Sequence, residues 1–479
     1  MQYWVNGKIC VEDKIEILPK KNIKLMKEQK KGMRRHPVSS IQNHSLKFSI
    51  TTLGCKVNQS ESDAMAHQLK NSGCYPVHHK EKADLCIINT CTVTQKASMQ
   101  SRQAVRKAIR SNPGARIIVT GCYAQTEPDE IDKIDGIHHI IGHMDKFKIP
   151  DMVLSKEKEP YPHLIRQNIL SEHHFEHTPA AVSGNRTRPF LKIQDGCDSF
   201  CTYCIVPYAR GRSRSMLIEN VLKNIKQLKQ AGYHEAVLTG VHLGAYGLDL
   251  SPKTDLTELL HRIVDINPID RVRLSSIEPH ELTDDIIELV AKADIFCHHF
   301  HIPLQSGDDL ILKKMHRPYT RSLFRNQIRK INELLPDAAI GVDTLIGFPG
   351  ETQKAFENTY SLIDELPVTY LHVFPFSARK GTPASSYQQP VDSKTIKVRC
   401  KIMRDLGHIK KRDFYKKFTG KTVEILIEDK RDKSTGLLKG ITSNYIPVHV
   451  NGDDNLKNTL VPVKIDSVKI DNTVFGTLF

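Results

Sequence analysis

Cys197, Cys201 and Cys204 stand in a C-x3-C-x2-C array within residues 194–204, Gln-Asp-Gly-Cys-Asp-Ser-Phe-Cys-Thr-Tyr-Cys, and no fourth cysteine follows nearby. Three thiolates on one short loop hold three corners of a cuboidal iron–sulfur cluster and leave the fourth iron open to a ligand. Structural zinc is normally closed by four ligands, and the ferredoxin run C-x2-C-x2-C-x3-C is spaced differently, so neither closed arrangement fits.

A second set of cysteines is placed by the elements around it. Between Phe48 and about Pro150, β-branched runs alternate with helical stretches, predicting strands over 48–53, 84–89 and 116–120 and helices over 60–71, 97–110 and 128–134. Each strand runs straight into a cysteine: Cys55, Cys91 and Cys122. In a parallel sheet the carboxyl ends of the strands share one edge, where ligands bind, so these three can converge on a second three-cysteine site. Cys74, Cys86, Cys297 and Cys400 read as buried packing residues.

From Arg188 to about Pro390 the alternation resumes, with strands expected over 190–194, 235–239, 271–276, 296–302, 339–346 and 370–376. Six β-α units make an open, incomplete version of the eight-unit barrel, and barrel sites lie at the carboxyl ends of the strands. The three-cysteine loop follows the first strand, the glycine-rich run 239–247 the second, Glu278 the third, and Gln305, residues 347–351 and Arg379 the others. Glycines such as Gly240 and Gly244 suit close backbone approach to a ligand.

Residues 391–418 pattern as a helix with Ile396, Cys400, Met403 and Leu406 on one face and Lys and Arg over the rest. Five short strands then follow in 422–428, 436–442, 446–450, 459–468 and 473–478, the signature of a small closed barrel of the kind often used for oligonucleotides. The expected fold is α/β throughout: a basic, loosely ordered extension over 1–46, a β-α-β domain over 47–154, a linker over 155–187, a partial (β/α)6 barrel over 188–390, a basic helix over 391–418 and a β-barrel over 419–479. His173, His174 and His177 fall in the polar linker, lack a cysteine partner and read as solvated.

The formal net charge of +15 favours a polyanionic partner, and no apolar run approaches bilayer-spanning length. No signal peptide is legible at the amino terminus. Eleven cysteines, mostly at strand ends or in the array, point to metal ligation in a reducing cytoplasm rather than to disulfides.

The array with Tyr203 before its last cysteine resembles the radical S-adenosylmethionine (SAM) superfamily, and its continuation Ile-Val-Pro-Tyr-Ala-Arg-Gly-Arg-Ser-Arg-Ser (205–215) resembles the methylthiotransferase branch. Thr-Leu-Gly-Cys-Lys-Val-Asn-Gln-Ser-Glu-Ser (52–62), Asn-Thr-Cys-Thr-Val-Thr (89–94) and Gly-Cys-Tyr-Ala-Gln (121–125) are similar to the amino-terminal domain of that branch, and Lys-Val-Asn-Gln looks most like the members acting on threonylcarbamoyladenosine in tRNA. The resemblance covers roughly residues 48–479. It implies two [4Fe-4S] clusters, one on Cys197, Cys201 and Cys204 that cleaves SAM and an auxiliary one on Cys55, Cys91 and Cys122 that presents sulfur. It also implies SAM contacts near Tyr203, Gly240, Gly244 and Glu278, a terminal TRAM domain, and a need for a sulfur source and a low-potential electron donor. The implied reaction is methylthiolation of carbon 2 of threonylcarbamoyladenosine in the anticodon stem-loop of tRNA; methylthiolation of isopentenyladenosine or of a ribosomal-protein side chain, and a non-enzymatic iron–sulfur RNA-binding role, are the competing expectations.

Overall fold

The computed structural model describes residues 46–78, 81–154, 163–176 and 186–479, together with two short strands nearer the amino terminus. Those two, Tyr3–Val5 and Lys8–Cys10, pair as an antiparallel hairpin inside a separate unit, Met1–His44. The rest of the basic extension lies outside the described residues.

The second unit begins with a six-stranded parallel sheet in the order Tyr75–Pro76, Lys47–Thr52, Leu85–Thr90, Arg116–Gly121, His139–Ile141, Leu164–Ile165. Every residue of Leu85–Thr90 is buried, because helices cover both faces of a parallel sheet. Leu85 and Ile87 pack with Met65, Leu69 and Ile118 on one face, while Cys86 and Ile88 pack with Val105, Ile117 and Val119 on the other, the period-two alternation of a strand. The crossover helices are Lys56–Asn71 and Gln95–Ser111, the latter capped by Thr94, whose side chain accepts from the Ala97 N–H. Within 155–187 the sequence shows no sustained period, yet Leu164–Ile165 closes the far edge of this sheet.

Six parallel strands follow: Phe190–Lys192, Glu235–Thr239, Arg271–Leu274, His299–Gln305, Ala339–Ile346 and Tyr370–Pro375. They form two three-stranded sheets joined by the single bridges Val272–Phe296 and Ser276–His301, an open partial barrel with six helices, from Ile218–Gln230 to Gln353–Glu365, in the connections between successive strands. The first strand stops before Ile193; beyond it, Gln194–Asp195 pairs antiparallel with Arg214–Ser215, and this small ladder clamps both ends of the cysteine loop. The fourth strand runs three residues past its expected end, with a register shift at Pro303–Gln305, where proline supplies no ladder donor.

Helix Ser393–Lys416 is capped by Asp392, which accepts from the Lys394 and Thr395 N–H groups, and buries Cys400, Met403 and Leu406 against the barrel. The carboxy-terminal barrel is closed in the order Thr422–Ile427, Leu438–Thr442, Pro447–Val450, Val474–Leu478, Leu460–Val468. Arg273 of the larger barrel docks it, donating to the Ser443 and Thr442 carbonyls at 2.9 and 3.2 Å. Among the described residues no helix is long and apolar enough to cross a membrane.

Candidate active site

Cys55, Cys91 and Cys122 meet at the carboxyl edge of the first sheet. Cys55 caps helix Lys56–Asn71, Cys91 follows Leu85–Thr90 directly, and Cys122 opens helix Cys122–Thr126. Two glycines permit the convergence. Gly54 has φ +100° and a Cβ there would lie 3.0 Å from the Cys91 Sγ; Gly121 has φ +93° and a Cβ there would lie 2.4 Å from the Asn89 Oδ1. Asn58 ties the edge together, its amide donating to the Leu53 and Thr90 carbonyls at 2.7 and 3.0 Å, while its Oδ1 lies 3.9 Å from the Cys122 Sγ. Burial, with repulsion from Cys122, pushes the Cys91 thiol up to about 12. Burial also raises Cys122, against the pull of Arg210. Thiols so placed ionise when a cation binds them, as in a metal centre.

Cys197, Cys201 and Cys204 hang from the Gln194–Asp195 ladder. A Cβ on Gly196 would fall 1.8 Å from the Arg212 carbonyl oxygen, so only glycine lets the loop fold back this tightly. Burial raises Cys204 to about 12, whereas Cys197 is drawn below the ordinary thiol value in spite of its burial, because His242 Nδ1 lies 3.5 Å from its Sγ. His242 in turn bonds Glu281 at 2.8 Å and is raised to about 10 against the effect of burial by its bonds to Cys197 and Glu281. Protein side chains occupy the space beside the two glycines expected to approach a ligand: a Cβ on Gly240 would meet the Gln194 Oε1 at 2.8 Å and one on Gly244 the Glu281 Oε2 at 2.1 Å. Both neighbours hold His242, Glu281 through the ring and Gln194 through its side-chain oxygen, which accepts from the backbone N–H at 2.8 Å. Tyr203 and Glu278 are joined by Arg317, which donates to the Tyr203 hydroxyl at 2.7 Å and to Glu278 Oε1 at 2.8 Å. The other Glu278 oxygen, Oε2, is buried without a hydrogen-bond partner.

The two triplets belong to one interface. Arg210, six residues beyond Cys204, reaches Asn58 and Glu61 of the first domain and Asp195 at the root of the second cysteine loop. Asp195 Oδ1 accepts from the Gly196 N–H at 2.9 Å, so a continuous chain of contacts runs from Cys122 through Asn58, Arg210 and Asp195 to the residue before Cys197. A second clasp lies nearby, where Arg379 donates to Thr92 and Ser98 at 2.7 and 3.1 Å and the Gln95 N–H to Ser377 at 3.0 Å. Sequence reasoning singles out neither Arg210, His242, Glu281 nor Arg317 as a site residue; the available signal is that His242 lies in a strand-end loop of the barrel, the place where ligand-handling residues collect. Cys74, Cys86, Cys297 and Cys400 are all buried, and His173 and His174 are exposed, while His177 lies outside the described residues.

Residues 47–142 match the family described as Uncharacterized protein family UPF0004, and residues 191–363 match the Radical SAM superfamily. Over 86% of this chain and 92% of the relative, the sequence is 38% identical to the threonylcarbamoyladenosine tRNA methylthiotransferase MtaB of Bacillus subtilis. The chain belongs to the radical SAM tRNA methylthiotransferases. It is an enzyme, and its cofactors are SAM and [4Fe-4S] clusters. A tRNA-2-methylthio-N(6)-dimethylallyladenosine synthase of Clostridium botulinum is also 36% identical, over 87% of this chain and 94% of that one. In fold alone, the chain is similar to the radical SAM methyltransferase TsrM of Kitasatospora setae, solved with tryptophan and a SAM analog (TM-score 0.52, 15% identity, 71% of this chain and 75% of that one). The residues present fit these cofactors. Each triplet offers three sulfurs with no fourth cysteine beside them among the described residues, and the unpartnered Glu278 oxygen is an acceptor suited to an ammonium or a hydroxyl.

Proposed function

We propose that the chain inserts a methylthio group at carbon 2 of N6-threonylcarbamoyladenosine beside the anticodon of tRNA. The observation that carries this reading is the contact chain Cys122–Asn58–Arg210–Asp195, which holds two separate three-cysteine sets on one interface. Cys197, Cys201 and Cys204 would hold one cluster and Cys55, Cys91 and Cys122 the other. When bound, these groups supply the radical that removes an unreactive aromatic hydrogen and the sulfur that replaces it.

The chain's own residues do the positioning. His242 donates toward Cys197 and steadies that corner of the first site; Arg210 sets the loop of one triplet against the strand edge of the other. Glu278, fixed by Arg317, is the acceptor for the SAM amino group or ribose, and the same arginine holds the Tyr203 hydroxyl. The basic helix and terminal barrel grip the anticodon stem-loop, whose unpaired base turns inward without breaking a duplex. The reaction draws on a sulfur source and a low-potential electron donor in the cytoplasm. Similarity to a dimethylallyladenosine synthase keeps isopentenyladenosine as the second reading. Nucleoside mass spectrometry of tRNA from cells with and without this chain decides between them: loss of methylthio-threonylcarbamoyladenosine supports the proposal, and loss of the isopentenyl product alone overturns it.

A further inference from the structure

Lys56, the residue after Cys55, lines a cavity of about 230 Å³ with Arg188, Arg273, Phe190, Tyr445 and the carboxylates Glu428 and Asp429. The arginines there are already matched, Arg188 to Glu428 at 2.9 Å and Arg273 to Glu235 at 2.7 Å. Lys56 has no ion pair or hydrogen bond among the described residues, although it sits in the field of both guanidinium groups and of Asp343. An ammonium held beside two other cations is a site that an anion relieves.

The adjoining wall is the inner face of the partial barrel, where alternate residues of three neighbouring strands point the same way. His301 and His372 both bond the same Asp343 oxygen, at 2.8 and 3.2 Å, and His299 and His301 reach the Tyr370 hydroxyl at 2.8 and 3.2 Å. Gly341 makes room for that tyrosine, since a Cβ there would lie 2.2 Å from its ring. His299 is 2% exposed, packs at a tilt against Tyr445 of the cavity with ring centroids 4.6 Å apart, and leaves its Nδ1 buried without a partner. Phe190 and Tyr445 give the cavity aromatic surface, and the hydrogen-bonding groups beside them are costly to leave unpaired against an apolar ligand.

We infer that Lys56, with the His301–Asp343–His372 wall beside it, selects a base whose side group carries a carboxylate and hydrogen-bonding atoms over one whose side group is apolar. The inference rests on the proposed function and deepens it: Lys56 pairs with the carboxylate of the threonylcarbamoyl group, and the imidazole–carboxylate wall takes its hydroxyl and amide. Because Lys56 adjoins Cys55, the same contact sets the base against the sulfur-presenting triplet. A prenyl group would leave these polar groups desolvated and unpaired, the strongest basis for rejection available to a pocket.

The test is anaerobic binding by the full-length, cluster-reconstituted protein, read by fluorescence anisotropy, with anticodon stem-loops carrying threonylcarbamoyladenosine, isopentenyladenosine or plain adenosine. Lys56→Met is expected to lower affinity for the first by about tenfold or more, while Lys56→Arg retains it. His372→Phe, at an exposed side chain where folding is not at stake, is expected to narrow the preference in the same direction. Iron content is measured alongside. If the wild type prefers the threonylcarbamoyl stem-loop and both Lys56→Met and His372→Phe keep that preference, the inference is overturned and the proposed function stands. If the wild type itself prefers the isopentenyl stem-loop, the proposed function is overturned and the inference with it.

Discussion

Arg210 and Glu61 form a two-pronged ion pair, Nη1 to Oε1 at 3.0 Å and Nη2 to Oε2 at 3.1 Å, with both side chains buried where the sheet domain meets the partial barrel. Lys146 reaches Glu61 Oε2 at 2.6 Å, Lys192 reaches Oε1 at 3.2 Å, and Arg210 also holds Asp195 at 2.7 Å. Burial alone would raise the Glu61 carboxyl, but Arg210, Lys146 and Lys192 hold it well below the usual carboxylate range. The pair thus acts as a rivet between the halves that carry the two triplets.

Removing one partner leaves buried charge uncompensated, which costs about 3–5 kcal/mol in comparable sites. Glu61→Gln, and separately Arg210→Met, should therefore lower the unfolding free energy by about that amount in urea titrations. The double variant should cost less than the sum of the two, because the groups form one network. Additive losses would mean that the ion pair is incidental to the junction.

His143 lies inside the same cluster, 3.1 Å from Asp195. Burial, then Lys146 and Arg210, push its pKa down to about 3 from an ordinary 6.5, while Asp195 and Glu61 oppose them. Between those values the unfolded chain binds a proton that the folded chain refuses, so this contribution is complete above pH 6.5 and is lost as pH falls toward 3. At pH 5 the loss is about 2 kcal/mol. Urea midpoints from about pH 7 to about pH 5 should show it, and His143→Gln should remove that part of the slope. An unchanged slope in the variant would place the pH dependence elsewhere.

The cysteine sets are legible in the sequence because their spacing and strand-end positions are local patterns, and the terminal barrel because five short strand-like runs follow one another at close spacing. The ionic cluster is not legible. Glu61, Lys146, Lys192 and Arg210 each look like solvated surface in their own stretches, and only contacts as remote as 61 to 210 bury them together. Leu164–Ile165 gives no signal because a two-residue edge strand has no period to detect. Gly240 and Gly244 suggest room for a ligand, but sequence cannot tell a ligand from a neighbouring carboxamide or carboxylate such as Gln194 or Glu281.

The two classes of cysteine separate experimentally. Cys91→Ala should remove about half the iron from anaerobically reconstituted protein, whereas Cys86→Ala, whose thiol accepts only a 3.4 Å contact from Ser49, should leave iron content as it is. His242→Phe should keep the iron but shift the midpoint potential of the cluster proposed at Cys197 to more negative values, because a hydrogen bond to a cluster sulfur favours the reduced state. Equal iron in the Cys91 and Cys86 variants would remove Cys91 from the ligand set.

The basic helix Ser393–Lys416 divides by what its lysines touch. Lys410 donates to the Asp364 and Leu366 carbonyls at 2.7 and 2.8 Å, satisfying the end of helix Gln353–Glu365, so its charge is already employed within the fold. Lys397 and Lys416 are exposed, and no ion pair or hydrogen bond engages either side chain among the described residues. Lys410→Ala should cost about 1–2 kcal/mol of stability and leave the salt dependence of tRNA binding unaltered. Lys397→Ala and Lys416→Ala should leave stability alone, weaken tRNA binding, and flatten the slope of log affinity against log salt by about 0.7–0.9 for each phosphate that is no longer neutralised. A slope unmoved in the double variant, measured against the Lys410 variant, would take this helix off the RNA and leave the grip to the terminal barrel.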